Sequence, residues 1–179
     1  MHHAVTDYML DIVENSLQAG SSVVTVDLLE DEDYISVCIG DNGSGMSEEL
    51  LSKVRDPFFT NGKKHENRSV GLGIPFVEQA SHAAGGEFDI RSEEGLGSSV
   101  FFTFNKSHLD CPPLGDIPGS AISMMMYEGK YELLFNRSSV RGRYVVSRSE
   151  LSAALGTLED ADAVILARRY ITEQENEIA

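Results

Sequence analysis

The chain has 179 residues, 41% of them hydrophobic, which is enough for one ordinary buried core and too much for a disordered polymer. Its 29 acidic residues against 14 basic ones give a net charge of -15, which repels phosphate backbones and acidic lipid surfaces, so no nucleic-acid partner is expected. No stretch approaches the ~18 apolar residues of a membrane span and no basic leader with an apolar run opens the chain, so the expectation is a cytoplasmic protein with no membrane association.

From Val5 to Ala19 the apolar residues Val5, Met9, Ile12 and Val13 recur at helical spacing, and Gly20 offers a stop. Asp11 and Asn15 stand four apart on this helix and share a face away from the apolar stripe. A carboxylate and an amide oxygen one turn apart can serve an attacking water and a Mg²⁺ ion respectively, although an exposed Asp and Asn are more often a solvated face. Val24, Val26 and Leu28, then Ile35, Val37 and Ile39, alternate with polar residues and predict a hairpin turning at Glu30 to Asp33. Asp41-Asn42-Gly43-Ser44-Gly45-Met46 follows the second strand. Its glycines allow close approach to a flat ligand, and a carboxylate at the strand end can accept from an exocyclic amine; the plain alternative is a turn.

Ser47, with Glu48 and Glu49 behind it, caps a short helix through Lys53. Asp56-Pro57-Phe58-Phe59-Thr60 leads into a polar stretch, 60–69, with Lys63, Lys64 and Arg68, which is expected to be a mobile loop. Val70-Gly71-Leu72-Gly73-Ile74 then opens a helix carrying Ile74, Val77, Ala80 and Ala84 and closed by Gly85-Gly86. Glycines at a helix N-terminus leave amides free for phosphate. The string has neither the third glycine of a dinucleotide fingerprint nor the Gly-Lys-Ser/Thr ending of a Walker loop. Phe88 and Ile90 start a strand, Glu94 to Gly97 a turn, and Val100 to Phe104 a further strand.

Cys111-Pro112-Pro113-Leu114-Gly115 reads as a linker to a small C-terminal unit. That unit is expected to hold a helix from Ile117 to Tyr127 and a hairpin of Tyr131 to Phe135 with Arg143 to Val146. Two helices follow, one capped by Ser147 and ended by Gly156, the other running from Asp160 to Tyr170. Met124, Met125 and Met126 read as core packing, and Glu173 to Glu177 as a solvated, fraying tail. Cys38 and Cys111 match no metal-ligand spacing and read as reduced structural thiols.

Taken together, the strings from residue 5 to 105 resemble the GHKL ATPase superfamily of gyrase, histidine kinases, MutL and the large heat-shock chaperone. Glu14-Asn15-Ser16 is similar to its N box, Asp41 to Gly45 to its first glycine box and Pro57-Phe58-Phe59 to the kinase F box. Gly71 to Gly73 and Gly95 to Ser98 are similar to its later glycine boxes. The resemblance implies an α+β fold, a two-layer sandwich of a mixed, mainly antiparallel sheet with helices on one face. Residues 1–110 would form the ATP-binding domain and 111–179 a small α/β unit. It implies ATP and Mg²⁺ as cofactors, with Asn15 on the metal, Asp41 on the adenine amine, and Gly43, Gly45 and Met46 bordering the base. Ser98 would help Asp41 through water. Phe59, in the F box, would be a cofactor-binding residue, Lys63, Lys64 and Arg68 would lie in the ATP lid, and Gly71, Leu72 and Gly73 would hold phosphates. Asp11 stands where hydrolysing members carry Glu, one methylene longer, and is the candidate catalytic base.

The F box and the compact second glycine box resemble the histidine-kinase branch, whereas Glu14-Asn15-Ser16-Leu17 is close to MutL. The whole chain is also similar to short stand-alone ATP-binding proteins of anaerobic bacteria. None of His2, His3, His65, His82 and His108 is placed as the phosphoacceptor of a sensor kinase. The expectation is a protein kinase acting in trans on Ser, Thr or His of a regulatory protein partner. The alternatives are a nucleotide-gated binding module and a slow MutL-like ATPase acting as a homodimer.

Overall fold

The computed structural model describes residues 4–54 and 73–179, and Phe59, Lys63, Lys64, Arg68, Gly71 and Leu72, with the expected loop at 60–69, lie outside them. Six strands form one sheet: β1 (Val23–Glu30), β2 (Tyr34–Asp41), β3 (Phe88–Glu93), β4 (Gly97–Asn105), β5 (Glu132–Ser139) and β6 (Arg143–Ser147), in the order β3-β4-β2-β1-β5-β6. All neighbours run antiparallel except β1 and β5, which are parallel and pair from Val23↔Glu132 to Glu30↔Ser139. The expected α+β class is therefore the observed one.

Period-two alternation turns Val24, Val26 and Leu28, with Val37, Ile39, Phe102, Phe104, Leu133 and Phe135, to one face, where each is almost fully buried. That face is covered by the helices α1 (Val5–Gln18), α3 (Gly73–Ala83), α4 (Ile117–Met125), α5 (Arg148–Leu155) and α6 (Ala161–Ile178), and the shorter α2 (Glu48–Val54) leads out of the loop after β2. Ser47 caps α2 as expected, its Oγ accepting from the Leu50 amide at 3.3 Å. The opposite face keeps residues such as Val23, Leu29 and Tyr34 partly exposed.

Several expectations change here. The stretch 111–115 is not a free linker: the carbonyls of Pro113 and Leu114 accept from the amides of Val5 and Thr6 at 2.9 and 3.1 Å and so complete the N-terminus of α1. Strand β5 continues to Ser139, four residues past the expected Phe135, because its pairing with β1 carries the alternation on. Met124 and Met125 are buried as expected, whereas Met126 is 47% exposed. The acidic stretch Glu173 to Glu177 belongs to α6, which runs to Ile178. Glu175 accepts from Arg137 Nε and Nη2 at 3.2 and 3.1 Å and from the Tyr144 hydroxyl at 2.8 Å. Counting charges without their helical phase hides this, since Ile171, Glu175 and Ile178 lie on one face at spacings of four and three.

Candidate active site

Helix α1 carries the first part of the site. Ile12 and Ser16 continue the stripe begun by Val5 and Met9, so Ser16 is buried although polar. Its hydroxyl donates to Asp41 Oδ2 at 2.9 Å, which fixes the end of β2 against α1. The other carboxylate oxygen, Oδ1, accepts from the Gly43 amide at 2.8 Å and lies 3.1 Å from Ser21 Oγ, whose single proton is shared with the Ser16 carbonyl at 2.6 Å. A carboxylate offers about four acceptor directions. Among the described residues, Oδ2 has Ser16 as its hydroxyl donor and keeps one direction for a further donor.

The glycines hold the loop after β2 in place. A Cβ at Gly43 would fall 2.7 Å from Ser21 Oγ and 2.9 Å from Asp41 Oδ1. At Gly45, φ is +61° and a Cβ would lie 1.9 Å from the Glu93 carbonyl, so the β3–β4 turn rests on this loop backbone to backbone. The Gly95 amide donates to the Ser44 carbonyl at 2.7 Å and completes that join.

Between α1, this loop and the sheet lies a cavity of about 380 Å³. Ile12, Met46, Leu50, Val54, Ile74, Ile90 and Val100 give it apolar walls, and Asn15, Ser16, Asp41 and Ser98 give it polar points. Apolar walls with a few fixed polar groups are the pattern of a small-molecule site. Asp41 and Ser98 are directly paired across β2 and β4.

Asp11 and Asn15 stand against the N-terminus of α3. A Cβ at Gly73 would come within 3.3 Å of Asp11 Cβ, 3.4 Å of its Oδ2 and 3.6 Å of Asn15 Nδ2. The first amides of α3 have no partner within the helix and, with the helix dipole, favour an anion at this end. Hard oxygen donors beside an anion site fit Mg²⁺, which keeps several waters and takes one or two protein oxygens together with phosphate. Among the described residues no group of three or more His, Cys, Asp and Glu could hold a metal ion by itself.

Of the residues expected at a site, Asn15, Asp41, Gly45, Met46 and Ser98 line the cavity. Gly43 braces Asp41 from behind, and Asp11 and Gly73 meet at the end nearer α3. His82 and His108 are exposed and do not line it. Ser16, Ser21 and Ser92 were missed. Ser16 and Ser92 were detectable as polar residues at positions where the apolar period, Val5-Met9-Ile12 and Phe88-Ile90, calls for a buried side chain. Ser21 has no such signal.

The family described as "Histidine kinase-, DNA gyrase B-, and HSP90-like ATPase" matches residues 2–108. Sporulation kinase E of Bacillus subtilis (strain 168) is 30% identical over 98 residues, 52% of this chain and 13% of the relative. Sensor histidine kinase WalK of the same organism is 27% identical over 105 residues, 55% of this chain and 17% of the relative. The chain thus spans under a fifth of the length of these relatives. The solved N-terminal domain of a DNA repair protein shares the fold with a TM-score of 0.54 at 10% identity, over 86% of this chain and 57% of that one. Such coverage extends beyond residues 2–108 and takes in part of the C-terminal region.

Proposed function

Because the chain belongs to the histidine kinase-, DNA gyrase B- and HSP90-like ATPase family, we propose that the cavity binds Mg-ATP and that the protein transfers the γ-phosphoryl group to a side chain of a protein partner in a signalling or regulatory role. The observation that carries this reading is the braced Asp41 carboxylate, held by Ser16 and Gly43 with one acceptor direction left at the wall of an apolar cavity. The exocyclic amine of adenine is the donor that suits it. Gly45 and Met46 would border the base. The amides that open α3 at Gly73 would meet the phosphates, and Gly71 and Leu72 join them in the proposal through the family resemblance alone. Phe59, Lys63, Lys64 and Arg68 enter the proposal through the family resemblance alone.

Asn15 would hold Mg²⁺, which when bound offsets phosphate charge in a chain whose own field is strongly negative. Asp11, beside the α3 N-terminus, would accept the proton of the attacking hydroxyl, with positioning and electrostatics supplying most of the acceleration. Neither described histidine, His82 nor His108, lines the cavity.

Titration calorimetry with Mg-ATP tests the first step. The wild-type chain should bind, and Asp41→Asn, which replaces an acceptor oxygen by a donor amide, should weaken binding by ~10- to 100-fold, the worth of one charge-assisted hydrogen bond. Absence of binding by the wild-type chain overturns the reading. Labelled ATP with cell extract tests the second step: a protein labelled by the wild type and not by Asp11→Asn supports transfer, while release of phosphate alone points to a slow ATPase.

One observation favours a nucleotide-gated binding module as the second reading. Helix α1 serves the cavity on one side and on the other packs against α4, with its first amides tied to Pro113 and Leu114. Hydrogen exchange in α4 that is the same with and without Mg-ATP would remove that reading.

A further inference from the structure

Ser92 projects from the edge strand β3 toward the helix-covered face, directly opposite Ser98 on β4. Its Oγ has three partners: the Met46 amide at 2.8 Å, the Gly97 carbonyl at 3.0 Å and Ser98 Oγ at 2.9 Å. A hydroxyl has one proton and two lone pairs. The Met46 amide can only donate and occupies one lone pair, while the Gly97 carbonyl can only accept and takes the proton. The contact with Ser98 is then a hydrogen bond only if Ser98 is the donor.

Ser98 lines the cavity with Asp41 as its cross-strand neighbour. With its proton committed to Ser92, Ser98 offers the cavity lone pairs only, and the Asp41 carboxylate is likewise an acceptor. Two adjacent acceptors suit an amino group and oppose a carbonyl oxygen, since an acceptor facing an acceptor is left without a hydrogen bond.

We propose that Ser92 is a specificity-determining residue which, by holding the proton of Ser98, makes the base end of the cavity take a 6-amino purine and reject a 6-oxo purine. This rests on the reading of the cavity as a nucleotide site. Ser92 acts through Ser98 and is a positioning residue. The same hydroxyl anchors the Met46 amide, so a purely structural role would weaken all nucleotides alike, whereas the proposed role alters their ratio.

The experiment measures dissociation constants of Mg-ATP and Mg-ITP, which differ in bearing an amine or an oxygen at that ring position. The wild-type chain should prefer ATP. Ser92→Ala frees the Ser98 proton to turn toward the ligand and should narrow the ATP:ITP ratio by about tenfold, one hydrogen bond's worth. Ser92→Thr keeps the hydroxyl and should restore the ratio. Ser98→Ala removes the acceptor and should narrow the ratio as well, which tests the inference even if Ser92→Ala does not fold. With Ser98 already replaced, Ser92→Ala should change the ratio no further. A ratio unmoved by Ser92→Ala or by Ser98→Ala overturns the proposal, as does equal wild-type affinity for the two nucleotides, and both outcomes leave nucleotide binding intact. A wild-type chain that binds neither removes the nucleotide reading and this inference together.

Discussion

Gly45 and Gly97 bring two turns into backbone contact at the Asp41 end of the cavity. At Gly97 φ is +108° and a Cβ would lie 2.0 Å from the Asp41 carbonyl; at Gly45 it would meet the Glu93 carbonyl at 1.9 Å. Backbone cannot swing aside as a side-chain tip can, so Gly45→Ala must displace the β3–β4 turn as well as adopt a left-handed conformation. The conformation alone costs about 1–2 kcal/mol. The variant should therefore lose more than that amount in chemical denaturation, and its Mg-ATP affinity should fall too, because Met46 follows directly and Ser92 is anchored to it. A stable variant with unchanged affinity would show that the join between the turns is dispensable. At this scale the motif residues were legible, since glycine and aspartate at a strand end have few reasons to be there. The partners of the serines were not: nothing in a hydroxyl's sequence position says which of several groups it will meet, and that choice is made by the register Asp41↔Ser98↔Ser92.

Among the elements, β5 and α6 are joined by a charge that sits almost wholly inside. Arg137 follows Leu133 and Phe135 on the core-facing side of β5 and is 1% exposed. Its guanidinium pairs with Glu30 of β1 at 2.9 Å and with Glu175 of α6 at 3.1 Å, and Lys106 joins at Glu30, 3.0 Å away. Breaking such a pair by truncating one partner leaves buried charge uncompensated and costs about 3–5 kcal/mol. Arg137→Ala should lose stability on that scale and loosen the end of α6, which hydrogen exchange would register as early opening of residues near Glu175. Burial alone would raise the Glu30 carboxyl, but hydrogen bonds from Lys106 and Arg137 outweigh it and hold the group below its ordinary value of 4.5. A carboxyl lowered by folding adds stability above its unfolded value and loses it as pH falls through the folded one. Acidification below about pH 4.5 should therefore destabilise the wild type more steeply than Glu30→Gln; parallel acid curves would refute this. The sequence could not announce the network, because Arg137 reads as standing two residues past the expected end of the strand at Phe135 until β1 is known to lie alongside.

At the scale of the whole molecule, the proline-containing stretch after residue 110 reads as a boundary, yet β5 beyond it pairs with β1 before it. Cutting there removes β5 from β1 along the whole of that strand, so an interior strand becomes an edge with eight residues of unpaired backbone, Val23 to Glu30. It also removes Leu133, Phe135, Met124 and Met125 from the one core they share with Val24, Val26 and Val13. Each large apolar side chain so lost contributes about 1.5–3 kcal/mol, and a domain has only about 5–15 kcal/mol in all. The carbonyls of Pro113 and Leu114 go as well, leaving the start of α1 without the partners that fix the helix bearing Asp11, Asn15 and Ser16. We therefore propose that residues 1–110 and 111–179 fold as one unit, and expect residues 1–110 alone to lack a cooperative thermal transition and to bind no Mg-ATP. Adding residues 111–179 in trans should restore both, because β5 and α4 dock on surfaces the truncation leaves open. A fragment 1–110 that melts cooperatively as a monomer and binds nucleotide would make the C-terminal region an accessory. If the region does complete the fold, a partner that engages α4 or α6 would act on the nucleotide site through α1.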